Sequence, residues 1–356
     1  MRTSRRGTHG VPLNAEAKAK IQHALEHAWA DSTIEKCSQG LEAYHRFCDK
    51  QQIPVSYRLP ASEELLCAFA AARVGEIAGG TARSAVAAVK AWHIIQDTLW
   101  MGGLRLRYTL KGVEKLVPSN SSCDELPPVT KDMLNQLEKE LNLTTPEDTA
   151  VFAAACCAFW GQIRLGEILS DTQGAYFEGR IPLGTDFSPS ATPAGTRVLR
   201  LPCTKTKGAK GNNSILCRQN SVTDPVNTTI NHIAVNNIPP DHPLFSYRND
   251  KGRLVCLSHR KFLQRCNDVW KKHGIPSITG HSFCIGGTTH LLIAGVNPDV
   301  VQAMGRWWPS ILTHQIRTAI TFKAKAGTIN PQTSINFKAK ASTINPHPIQ
   351  IGGHPS

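Results

Sequence analysis

Apolar positions between residues 15 and 116 recur at three- and four-residue spacing, and no stretch there alternates with period two, so this part of the chain reads as helices alone. Ser32-Thr33-Ile34-Glu35 has the form of a capping box, and the helix it launches sets Cys37, Leu41, Tyr44 and Cys48 on one face. Ser62 ahead of Glu63 and Glu64 starts a second helix whose inner side is Leu65, Leu66 and Phe69. Gly79-Gly80 closes that interval, and Thr81 caps a further helix running to Gln96 with Val86, Val89, Trp92 and His93 inward. The expectation is a helical domain of four or five helices over residues 15–116. On local evidence it is any small bundle.

Residues 117–129 carry Pro118, a serine and asparagine run and Pro127-Pro128, which is linker chemistry, and a second domain follows over 130–320. Thr130 opens a helix with Met133, Leu134, Leu137 and Leu141 on its buried face. Thr145-Pro146-Glu147-Asp148 starts another in which residues 150–160 are apolar on every side, the mark of a central buried helix. Strand character appears at Ala175-Tyr176-Phe177, at 197–201 and at 214–217, the last two flanking a basic, glycine-bearing turn from Thr204 to Gly211. Pro243-Leu244-Phe245 leads into a turn at Asn249-Asp250. Ser258 to His273 is then a helix with Phe262, Cys266 and Trp270 on its core side. Gly280-His281 opens an apolar helix that Gly295 ends, and Asn297-Pro298 caps and starts the next. Over 321–356 the decapeptide FKAKAGTINP returns as FKAKASTINP, two copies being too few for a solenoid, and the tail is expected to be disordered.

Charge changes the picture more than composition does. Lys and Arg number 40 against 27 Asp and Glu, a net charge of +13, which favours a polyanionic partner, nucleic acid before an acidic membrane surface. Residues 1–14 form a small basic arm with Arg2, Arg5 and Arg6. The eleven cysteines contain no Cys-x-x-Cys pair, so neither zinc nor a disulfide framework is expected. No run of 18 apolar residues occurs and the first residues lack the apolar core of a secretion signal, so the expectation is a soluble protein of the nucleus or cytoplasm.

The stretch from Thr279 to Arg317 holds the most specific pattern. His281, then Gly286-Gly287, then Gly305-Arg306-Trp307, on a helix, a turn and a helix, resembles the C-terminal catalytic box of the tyrosine recombinases, the phage-integrase family, and among them the copies in fungal mobile elements. Arg164 in its Arg-Leu-Gly-Glu setting resembles the family's first box, although taken alone it reads as a structural ion pair with Glu167. The resemblance implies a mainly α protein, with an N-terminal SAM-like core-binding domain and an α+β integrase-like catalytic domain carrying a small antiparallel sheet. It also implies double-stranded DNA as partner and metal-free strand transfer through a 3′-phosphotyrosine, with no cofactor. A second copy or an intact relative on the DNA is the further partner it suggests.

Such chemistry needs a nucleophile, an acid for the leaving 5′ oxygen, and fixed positive charge around a phosphorane more negative than its parent diester. Carried over by position, Arg164 is the first arginine, Lys205 the lysine acid with Lys207 as its competitor, His281 the histidine and Trp307 the late hydrogen-bonding tryptophan. Cys284 stands where the second arginine belongs. Gln315 stands near the place of the tyrosine, and no tyrosine follows Tyr247. His314 is the neighbouring group able to attack phosphorus, and Pro309 interrupts the helix that would present the nucleophile. The expectation is a copy without independent cutting activity. Two alternatives stay open: an active recombinase using an unconventional or donated nucleophile, and a helical interaction protein that binds no DNA. Arg46, Lys50, Arg83, Lys90, Arg105, Arg107, Lys207 and Lys210 are the candidate phosphate contacts.

Overall fold

A computed structural model describes residues 13–29, 31–76, 79–116, 127–171, 176, 178–204 and 208–306 of the chain. It divides into two compact units, Met1–Asp124 and Glu125–Ser356.

The first unit is helical throughout its described residues: α1 (Ala15–Glu26), α2 (Asp31–Lys50), α3 (Val55–Arg58), α4 (Glu63–Ala71), α5 (Gly79–Ile95) and α6 (Leu104–Lys115). The six helices exceed the expected four or five because α3 is a single turn and α1 buries none of its residues. Tyr44 and Cys48 from α2, Leu66 from α4, Val86 and Val89 from α5 and Leu106 from α6 share one core. Ser62 caps α4 as its sequence implies, its hydroxyl accepting from the Leu65 N–H at 3.2 Å. Two starts differ from expectation. α2 begins at Asp31, so Ser32 is already helical, and α5 begins at Gly79, so the glycine pair forms its first turn and Thr81 does not cap it. First-turn N–H groups need no helical acceptor, so glycine is tolerated there more readily than mid-helix. His93 is fully buried yet satisfied: Nε2 accepts from the Ala61 N–H at 2.9 Å while Nδ1 donates to the Val89 carbonyl at 2.7 Å.

The second unit is built around α8 (Pro146–Trp160), reached through α7 (Lys131–Glu140). Thr130 caps α7, accepting from the Met133 N–H at 3.2 Å. Every residue of α8 from Asp148 to Trp160 is buried, which is why its sequence shows no polar stripe. Two hairpins follow. β1 (Arg197–Leu201) pairs antiparallel with β2 (Asn212–Leu216) in the register Arg197 to Leu216 and Leu201 to Asn212. The second strand thus starts two residues before the expected 214 and leaves out Cys217. Between the hairpins lies α9 (Pro225–Asn236), which the pattern analysis did not anticipate; β3 (Ser246–Arg248) then pairs with β4 (Leu254–Cys256) around the turn at Asn249-Asp250. Tyr176 is in no strand, and the rest of the strand expected at 175–177 lies outside the described residues.

α10 (His259–Lys272) packs Phe262, Cys266, Val269 and Trp270 into the core, and α11 (His281–Ile293) and α12 (Pro298–Gly305) complete the described chain. The Arg265 guanidinium on α10 grips the Asp148 carboxylate through both oxygens at 2.8 and 2.9 Å, tying α10 to the head of α8. No helix of the described residues is long and apolar enough to cross a membrane.

A buried hub joins α9 to α8 and sets an acid limit on the fold. His232 donates from Nε2 to the Leu244 carbonyl at 2.9 Å, and its Nδ1 accepts from the Asn236 amide at 3.0 Å; that amide also donates to the Pro146 carbonyl at 2.9 Å. Protonation would put an N–H against that amide donor inside the core, and burial lowers the His232 pKa to about 4. Because the unfolded imidazole takes its proton near 6.5, stability is full above that pH and falls as pH drops towards about 4. The expected loss is about 3 kcal/mol. Denaturant melts of the chain between pH 7 and pH 4 check it, with His232→Gln, which cannot titrate, expected to flatten the profile.

Candidate functional site

The first functional position follows from how α8 ends. Gly161 terminates the helix against β2, where the Ser214 hydroxyl donates to the Gly161 carbonyl at 3.1 Å. Gln162 then turns the chain with a positive φ of 48°, and its side-chain oxygen accepts from Thr288 on α11 at 2.7 Å. Ile163 is fully buried. With the residues on either side fixed, Arg164 is delivered at the mouth of a short 3-10 turn, Leu165–Glu167, its side chain 19% exposed.

α11 is held against α8 by its glycine pair. A Cβ on Gly287 would overlap the Phe159 carbonyl oxygen, and one on Gly286 would overlap the Val129 carbonyl oxygen. The Val129 N–H in turn donates to the Ser282 carbonyl at 3.0 Å. This close approach brings the head of α11 beside Arg164. His281 lies there at the surface, and Cys284, one turn on, is fully buried. The Cys284 thiol lies 3.3 Å from His281 Nδ1 and 3.2 Å from the His281 carbonyl. Burial pushes this thiol up to about 11, with the nearby Arg164 charge opposing, so it is a neutral thiol at physiological pH.

The third contribution comes from the end of α12. Asn297 caps this helix and Pro298 takes its first position. Arg306 ends it in the left-handed conformation, φ 57°, where glycine is the ordinary occupant. Its guanidinium donates to Glu167 at 2.9 Å, and Arg164 donates to the other oxygen of the same carboxylate at 3.1 Å. Glu167 and Arg306 side chains are each 5% exposed. One buried carboxylate therefore holds two guanidinium groups, one of them from a residue 139 positions further along the chain.

Of the positions carried over from the sequence, the structure brings Arg164, His281 and Cys284 together. Lys205, Lys207, Trp307, His314 and Gln315 lie outside the described residues. Thr204 and Gly208 pair across the base of the β1–β2 turn at 3.1 and 2.8 Å, and Lys210 is exposed beyond it. The candidate phosphate contacts of the first unit are all exposed. Arg83, Lys90 and Arg107 line one cleft of α5 and α6 together with Trp100, and Arg46 and Lys50 line a groove on α2. Sequence reasoning kept Arg306 only as a motif letter. Its left-handed conformation, unusual for a non-glycine residue closing a helix, is a property of the folded backbone and leaves no mark in the sequence.

No protein-family model matches the sequence and no curated protein does. Solved structures do. The XerH site-specific recombinase bound to its palindromic difH substrate is similar at 13% identity with a TM-score of 0.54, over 83% of this chain and 79% of that one. The Tn1549 transposon integrase in complex with transposon right-end DNA is similar at 13% identity with a TM-score of 0.53, over 84% of this chain and 92% of that one. The chain therefore has the fold of the site-specific recombinases and transposon integrases: mainly helical, with small antiparallel sheets.

Proposed function

We propose that this chain is a DNA-binding protein of recombination or integration, with the metal-free phosphotyrosine chemistry of the tyrosine recombinases as its ancestral activity and without a nucleophile of its own. The observation that carries the reading is the meeting of Arg164 and Arg306 on one buried carboxylate, with Cys284 beside them and His281 against Cys284 at the head of α11, on a fold shared with solved DNA-bound recombinases and integrases. Guanidinium groups suit a phosphodiester because they stay charged and offer paired donors. His281 adds a hydrogen-bonding group at the same place. Nothing in the sequence after Tyr247 replaces the missing phenol, and Cys284, a buried neutral thiol, cannot hold a phosphate oxygen as an arginine does.

Two measurements test this. Duplex DNA should be bound at low ionic strength with an affinity that falls about a thousandfold or more between 50 and 200 mM salt, as expected when six or more phosphates are contacted. Binding that is absent, or indifferent to salt, supports a helical interaction protein instead. On nicked suicide substrates the unmodified chain should give no covalent DNA adduct. An adduct formed alone would overturn the loss of the nucleophile and direct attention to His314; an adduct formed only on mixing with an intact relative would mean that the tyrosine is donated in trans.

A further inference from the structure

We infer that the trough between α5 and α6 in the first unit is a binding site for a nucleotide whose base is unpaired. The base would lie on Trp100 and an apolar floor, with its phosphate held by Lys90, Arg107 and Lys111. This site shares no residue with the Arg164 cluster; it rests on nucleic acid as the partner of the chain and adds an unpaired strand to the duplex proposed above.

The trough is closed at both ends. Arg83, early in α5, pairs with Glu114, late in α6, while Lys90, two turns further along α5, holds its ammonium 6.0 Å from the centre of the Trp100 ring just ahead of α6. The two helices therefore run antiparallel, with an ion pair at one end and an indole at the other. Between them lie Val86 and Leu106, both 5% exposed, and Ala87, whose single methyl leaves the middle open. The cavity holds about 600 Å³, within the roughly 300–1,000 Å³ of small-molecule sites. Trp100 is a fixed platform in it. His93 packs edge-on against the indole with ring centres 5.3 Å apart, and a Cβ on Gly102 would overlap the ring, so only glycine lets the chain pass so close. Lys90 reaches the ring from the trough wall, so that face looks into the cavity; at 6.0 Å the ammonium is at the outer limit of a cation–π contact, where a stacking base can displace it. Tyr108, 67% exposed, adds a second ring at the rim. Charge selects an anion. Among the lining residues Glu114 is the one carboxylate and Arg83 answers it, which leaves Lys90, Arg107 and Lys111 for a phosphate. The head of α6 is already taken, since Glu63 accepts from the Gly103 and Leu106 N–H groups at 2.8 and 3.1 Å. Duplex DNA would meet the three cations but leave Trp100 and the apolar floor unused, because its base faces are stacked inside the helix. An unpaired nucleotide uses both, for every base has a π face to lay on an aromatic ring.

The test uses the full chain with a fluorescein-labelled oligothymidylate, with thymidine monophosphate, and with a duplex of the same length. Oligothymidylate affinity should fall as salt rises, and Arg107→Met or Lys111→Met should each make the slope of log affinity against log salt shallower by about 0.7. Ala87→Leu fills the middle of the trough from an exposed helix position and removes no charge. It should weaken oligothymidylate binding roughly tenfold by steric exclusion and leave duplex binding unchanged. Trp100→Leu should weaken oligothymidylate binding between about fivefold and a hundredfold, the effect of one lost base–aromatic stack. If Trp100→Leu does not fold, an oligonucleotide carrying iodouracil decides on the unmodified chain: its photo-adduct should map to Trp100 or Tyr108, and adducts confined to other residues overturn the assignment. Oligothymidylate binding that Ala87→Leu leaves untouched, or a loss in that variant shared equally by duplex, also overturns it. Competition by thymidine monophosphate as strong as that of the oligomer would make a free nucleotide the occupant of the trough, and far weaker competition a strand. A chain that takes oligothymidylate in the trough but ignores duplex would keep this site and remove the duplex reading; duplex binding without any oligothymidylate binding would do the reverse.

Discussion

Gly287→Ala should be the most damaging single-methyl change in the second unit. The added Cβ would fall on the Phe159 carbonyl oxygen, which is helix backbone and has no rotamer by which to move aside. α11 would have to slide away from α8, loosening Phe283 and Cys284 on one side and the Gln162–Thr288 hydrogen bond on the other. Overpacking at a site that cannot yield costs about 3 kcal/mol or more, in spite of alanine's better helix propensity, which returns about 1 kcal/mol. For a unit of this size that is a fall in Tm of roughly 5 to 10 °C, measurable by calorimetry on the intact chain. Gly112→Ala is the control. Gly112 lies in α6, and a methyl there meets nothing within 4 Å, so propensity alone should act and stability should rise slightly. Equal effects of the two substitutions would mean that α11 does not pack on α8 as described.

The second large effect concerns Cys284→Arg, the arginine that the tyrosine-recombinase resemblance would put at this position. Here it should destabilise. Position 284 is fully buried, Arg164 and Arg306 already share the single carboxylate of Glu167, and a third guanidinium would enter with neither space nor counter-charge. An unpaired buried charge costs about 3 to 5 kcal/mol. The decisive feature is non-additivity. Cys284→Arg combined with Arg306→Ala should recover at least 1 kcal/mol, because groups in one ion-pair network couple strongly. Urea melts of the two single variants and the double variant check this. If the two changes simply add, Arg306 and Cys284 do not compete for one place. For catalysis, Cys284→Arg with Gln315→Tyr should yield a covalent DNA adduct only once position 306 has been changed as well.

Much of the second unit was legible because its signals are local. Thr130 and Ser258 cap the helices that follow them, Asn297-Pro298 starts α12, and an all-apolar run became the buried centre of the unit, since capping and burial act on adjacent residues. α9 escaped notice although Asp224-Pro225 is a sound helix start, with Asp224 accepting from the Asn227 N–H at 2.7 Å. Its buried side includes Thr229, His232 and Asn236, polar residues that pattern analysis counts as solvent-facing and that only the hub around His232 satisfies. In the first unit Gly79-Gly80 was read as an interruption because glycine usually breaks helices, yet it stands in a first turn where that tendency is weakest.

The sequence by itself determined most of the helices flanking the site, the basic charge, the Arg164, His281 and glycine landmarks, and the absence of an arginine at 284 and of any tyrosine beyond 247. These are properties of residue identity and short-range spacing. Tertiary structure alone decided what surrounds the gap. That Arg306 shares Glu167 with Arg164 depends on the approach of α11 to α8, which the glycine pair permits, and on the left-handed end of α12. A contact between residues 139 positions apart arises from packing, and no local pattern encodes it.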